Sequence, residues 1–188
     1  MTRKEIHSEI KRRVACGESK SSIFSHYEMT EWEDAAARIL AVQVTLANRR
    51  KWRFLNWLLI ACLSVITLFK VIDTVAVVST LNNASVGVLI VLLGLAVNIA
   101  LLVAVIRYVG LAYLITAALL FQGVPKIMQA AGKLHFALDV GLFIFWSNAT
   151  FVATGIVLAL VLHRLMLPCT TFFLTPRKTA MGRPIFED

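Results

Sequence analysis

The rhythm of apolar positions changes at residue 53. Before it, apolar residues recur singly at helical spacing among charges; from Phe54 to Leu167 they form an almost unbroken run. In the first part, Thr2-Arg3-Lys4-Glu5 reads as a capping box, in which Thr2 and Glu5 satisfy free amides of a first helical turn. Ile6, Ile10 and Val14 follow at i, i+4, i+8, one apolar stripe. Gly17 is placed to end that helix, and Ser19 or Ser21 to cap a short second one carrying Ile23, Phe24 and Tyr27. Thr30-Glu31-Trp32-Glu33 reads as a second capping box opening a third helix. On it Trp32, Ala35, Ile39, Val42 and Leu46 recur at 3,4,3,4 spacing, a heptad seam suited to self-association or docking. With no Gly or Pro between Trp32 and Phe69, that helix is expected to run straight into the apolar region.

That region is too long and too apolar for one soluble core. A bilayer core about 30 Å thick takes roughly 20 apolar residues per helical crossing, and only helices or closed barrels satisfy their backbone groups inside it. The alternation of barrel strands is missing. The pattern therefore predicts an all-α polytopic membrane protein: a cytosolic helical head over 1–53, a four-helix transmembrane bundle over 54–167, and a cytosolic tail over 168–188. The spans fall at about 54–72, 86–106, 111–128 and 141–162. Leu81–Ser85 is a polar turn, and Arg107-Tyr108-Val109-Gly110 is a tight connection in which Gly110 supplies conformational freedom. Pro125 predicts a kink or an early end in the third span. The end at Pro184–Asp188 is expected to be loose.

Composition supports the division. The chain is 59% hydrophobic and 16% charged, with a formal net charge of +8. A basic balance can signal nucleic acid, but here the cations flank the apolar run. Arg49, Arg50, Lys51 and Arg53 abut its start, and Arg107 and Arg164 close its second and fourth spans. Cations beside spans hold those ends on the cytoplasmic side. With four crossings and both termini cytosolic, only Lys70, Lys126 and Lys133 of the 19 Lys and Arg fall outside. Three crossings would strand the C-terminal cations on the wrong face. Localisation in an inner or plasma membrane follows.

Candidate chemistry is sparse. Lys70 and Asp73 lie at i, i+3 on span one, Asn98 and Asn148 lie within spans two and four, and Asp139 sits beside His135 in the bridge before span four. Polar groups in a bilayer are costly and mark pathways or helix-helix contacts. These five residues, Lys70, Asp73, Asn98, Asp139 and Asn148, are the candidates to line a pore or transport site. Cys16, Cys62 and Cys169 have no disulfide or zinc spacing, no nucleophile or metal motif is present, and no cofactor is expected. Three short helices about Gly17 resemble a helix-turn-helix unit, yet the third opens with Glu31, Glu33 and Asp34, which duplex DNA would repel. The reading is a non-enzymatic multipass protein whose partners are the lipid bilayer and either its own copies or another membrane or cytosolic protein. The assembly is expected to be an oligomeric pore or channel. The alternatives are a small transporter with a midplane polar site and a membrane-tethered regulator with a DNA-binding head.

Overall fold

Caps set where the head helices begin. The computed structural model describes residues 2–80, 85–131, 140–168, 170–171, 175–180 and 182–186. In it Thr2 opens α1 (Arg3–Ala15) through the expected box. The Thr2 amide donates to Glu5 Oε2 at 2.7 Å, and the Glu5 amide donates to Thr2 Oγ1 at 3.4 Å. Gly17, at φ +87°, turns the chain after the C-cap Cys16, a left-handed position that suits glycine. Ser19 caps α2 (Lys20–Ser25), accepting from the Ser22 amide at 3.1 Å. The expected stripe is the core: Ile6, Ile10 and Val14 bury against Ile23, Phe24, Tyr27 and the Ala36, Ala37 and Leu40 of α3 (Glu33–Val42).

The third helix departs from its expected course at both ends. Thr30 does not cap it. Its hydroxyl donates to the Tyr27 carbonyl at 2.6 Å, and Glu33 accepts from the Met29 amide at 3.1 Å. Thr30 Oγ1 accepts from the Trp32 amide at 3.3 Å, the Glu33 amide donates to the Thr30 carbonyl at 3.2 Å, and the helix starts at Glu33 with no side-chain cap. Nor does it reach the apolar region. Gln43 is extended, Val44 is buried, and Thr45 caps a separate α4 (Leu46–Lys51), accepting from the Asn48 amide at 3.3 Å. A hydroxyl at an N-cap and β-branched neighbours offer the backbone an alternative to helix without Gly or Pro. The heptad seam is therefore broken. Leu46 belongs to another helix, and the fully buried face is Ala36, Ala37, Leu40 and Ala41, with Trp32 and Ile39 at its edge.

Four longer helices follow: α5 (Arg53–Thr80), α6 (Ser85–Ile106), α7 (Gly110–Ala131) and α8 (Val140–Met166). Each contains one expected span, and α7 continues through Pro125 for six more residues. Among the described residues the fold is all-α, with two isolated antiparallel bridges, Thr170 to Pro176 and Lys178 to Pro184. By length and composition, Arg53–Ile72 and Phe145–Met166 could each cross a membrane; Leu92–Ile106 and Gly110–Pro125 are shorter apolar stretches.

The chain divides into two compact units. One comprises Met1–Phe54, Tyr108–Leu111 and Val161–Asp188; the other comprises Leu55–Arg107 and Ala112–Leu160. In the first, the described residues Pro184–Phe186 of the tail are not loose. Phe186 packs on the head cluster, its ring 5.2 Å from that of Phe24, and Arg183 reaches Glu28 at 3.8 Å. An apolar Ile185-Phe186 pair near an apolar edge gains by covering it. In the second unit, Leu59, Cys62, Leu63 and Ile66 of α5 and Ala112, Tyr113, Thr116, Ala117 and Leu120 of α7 form buried stripes at helical spacing. At Gly155 of α8, an added Cβ would lie 2.9 Å from Leu120 Cδ1, so glycine there permits close helix approach.

Candidate functional site

The structure gathers a cationic collar in the first unit. On α4 and the start of α5 stand Arg49, Arg50, Lys51 and Arg53, followed by Phe54, which is 77% exposed. Local contacts fix the collar. The Asn48 amide group donates to the Met166 carbonyl at 3.3 Å, joining α4 to the end of α8, two residues past Arg164. The Arg49 guanidinium lies over the Tyr108 ring, 5.6 Å from its centroid, and Lys51 lies over Trp52 at 5.2 Å. Arg49 Nε is buried and has no hydrogen-bond acceptor.

Tyr108 itself is at φ 55°, so the strained position in this turn is not Gly110, as expected, but the residue two before it. Glycine at 110 has a different reason. A Cβ there would fall 2.6 Å from the Val42 carbonyl oxygen and 2.9 Å from Leu167 Cδ1. The turn is pressed against backbone, and only a hydrogen fits.

The head carries a second charged feature. Arg13 holds Glu18 through two hydrogen bonds, Nε to Oε2 at 2.7 Å and Nη2 to Oε1. That bond holds the Glu18 carboxyl below the usual carboxylate range and raises Arg13. Of the basic run Lys11-Arg12-Arg13, the third is thus neutralised within the chain. A cleft of about 390 Å³ between α3 and the tail is walled by Glu33, Asp34, Arg38 and Lys178. Among the described residues no three His, Cys, Asp or Glu side chains approach closely enough to hold a metal.

In the second unit the buried polar centre is one the sequence reading passed over. Tyr113 Oη donates to Asn56 Oδ1 at 2.8 Å, and Asn56 Nδ2 donates to the Val105 carbonyl at 3.4 Å, linking α7, α5 and α6. Thr116, one turn beyond Tyr113, is fully buried with its hydroxyl unpartnered. A signal existed. Asn56 and Tyr113 each lie three residues after the start of their helix. Asn56→Leu should lower unfolding stability in mild detergent by about 1–2 kcal/mol, because it strands a buried phenol. The double variant with Tyr113→Phe should lose less than the two single losses added. Strict additivity in that cycle would remove the bond from the account.

Of the five residues proposed to line a path, the side chains of three are described. Lys70 is exposed on α5, and Asn148 is half-buried on α8. Asn98 donates one amide hydrogen to Gly94 O of its own helix at 2.7 Å. Asp139 and the Asp73 side chain lie outside the described residues. Of the docking set, Trp32 and Ile39 pack into the head itself, and Ala35 and Val42 are half-buried. Of the topology set, Arg49, Arg50, Lys51, Arg53 and Arg164 belong to the first unit and Arg107 to the second. The chain matches no family model, no curated protein and no solved structure.

Proposed function

We infer that this is a small non-enzymatic multipass membrane protein, with four helical crossings and a cytosolic domain built from the head and the tail together. One observation carries the reading: the chain leaves the first unit and comes back to it twice. It departs at Phe54 and returns at Tyr108, then departs at Leu111 and returns at Val161. A unit with a polar exterior stays on one face of a bilayer, so each excursion crosses an even number of times. Each excursion holds two helices of 22 to 28 residues, about 33–42 Å long at 1.5 Å per residue, against a hydrocarbon core of about 30 Å. Two crossings per excursion fit.

The surface of these helices supports the same reading. Leu68, Leu93, Phe121 and Trp146 are each more than half exposed, with many smaller apolar neighbours. Soluble monomers rarely show contiguous apolar patches beyond a few hundred Å², whereas lipid accepts them. The head, by contrast, closes its own core. Its task is to dock a partner or a second copy through its charged exterior and the cleft beside α3, rather than through a continuous heptad seam.

Cys16 tests the topology, being exposed on the head. In a Cys169→Ser variant, an impermeant maleimide should leave Cys16 unlabelled in intact cells and label it once the membrane is permeabilised. Labelling in intact cells would place the head outside and overturn the arrangement.

A further inference from the structure

Between Asp34 and Glu187 the chain holds two acidic residues, Asp73 and Asp139. All the collar cations fall within that interval. Asp73 is 20 residues beyond Arg53 on the uninterrupted helix α5, a rise of about 30 Å. That length is several times the Debye length of about 8 Å at physiological salt. Among the described residues the ion pairs are Arg13 with Glu18 and Arg183 with Glu28, neither in the collar. Among the described residues, therefore, no carboxylate pairs with the collar.

Arg49 supplies an independent observation. It is half-buried on the ring of Tyr108, and its Nε–H is buried without an acceptor. The guanidinium fork matches phosphate oxygens in both geometry and charge. Four residues on, Phe54 presents an exposed ring, preceded by Trp52. A cationic fork with aromatic groups just beyond it is the profile of a headgroup-to-acyl boundary.

We propose that Arg49, backed by Tyr108 and flanked by Arg50, Lys51 and Arg53, binds the headgroup phosphate of an anionic phospholipid, with Phe54 against its acyl chain. The site rests on the membrane reading above, since the lipid reaches it from the leaflet beside the head. Arg50, Lys51 and Arg53 are exposed and raise the local concentration of anionic lipid. Arg49 gives the site its selectivity for one bound molecule.

The full chain is reconstituted in nanodiscs of phosphatidylcholine, with or without a minority of phosphatidylglycerol. Lipid retained after detergent release is weighed by native mass spectrometry. Insertion into pure phosphatidylcholine tests the membrane reading alone; a chain that inserts but retains no phosphatidylglycerol sinks only the lipid site. The wild type should retain one phosphatidylglycerol in preference to phosphatidylcholine. Arg49→Gln should weaken that retention about tenfold, a loss suited to a charge-assisted hydrogen-bonded contact. Arg49→Lys should also weaken it, because an ammonium lacks the planar fork. Arg164→Gln, a charge control of equal magnitude, should leave it nearly unchanged. Unfolding midpoints in pure phosphatidylcholine establish that the variants fold. Equal losses at Arg49 and Arg164 would reduce the site to a diffuse charge layer and overturn it. Displacement of the lipid by inorganic phosphate would make the ligand a free anion and overturn the lipid assignment.

Discussion

Gly110→Ala should destabilise the protein by about 2–3 kcal/mol, the usual cost of forcing a methyl into a packed site, or by more where the obstacle is backbone. The methyl would sit 2.6 Å from the Val42 carbonyl oxygen and 2.9 Å from Leu167 Cδ1. The leucine can rotate; the carbonyl cannot move without shifting the chain that links α3 to α4. Gly123 on the same helix is the internal comparison, because nothing lies within 4 Å of an added Cβ there. Gly123→Ala should be neutral or gain up to about 1 kcal/mol from helix propensity alone. Denaturant unfolding of both variants in one detergent checks the pair. Equal midpoints would show that the turn at 108–111 is not seated against Val42.

Ile10→Ala should cost about 3–4 kcal/mol, within the range for emptying a fully buried aliphatic site. Ile10 has no exposed surface and lies in the cluster that joins α1, α2 and α3. A head of this size has few other apolar contacts to compensate, so trypsin should cut at Lys11, Arg12 and Arg13 far faster in the variant. Insertion of α5–α8 should be untouched, because their apolar surfaces do not involve the head core. A variant that resists trypsin as well as the wild type would contradict the cluster. One that fails to insert would contradict the independence of the helices from the head.

What could be read in advance was set by local chemistry. The Thr2–Glu5 box, the Ile6-Ile10-Val14 stripe, the Gly17 turn and the apolar lengths of α5–α8 each depend on residues within a few positions of one another. What escaped depends on contacts between distant segments. Thr30 and Glu33 have the spacing of a cap, yet the turn at Tyr27 and Met29 competes for both groups. The helix break at Gln43 and Val44 has no Gly or Pro to announce it; a buried valine and the Thr45 cap decide it. Asn56 is answered by Tyr113, 57 positions away, a pairing that no local pattern announces. Asn98, one of the five path candidates, donates a hydrogen bond within its own helix.

The ring of Phe186 has a consequence for biosynthesis. The head emerges from the ribosome first, yet the residue that seals its apolar edge is made about 160 positions after Phe24. At usual elongation rates of about 5–20 residues per second, the nascent head waits roughly 8–30 s with that edge bare while the greasy segments are threaded into place. Translation that stalls anywhere in that interval leaves a domain with an uncovered sticky rim, a natural substrate for chaperones and proteases.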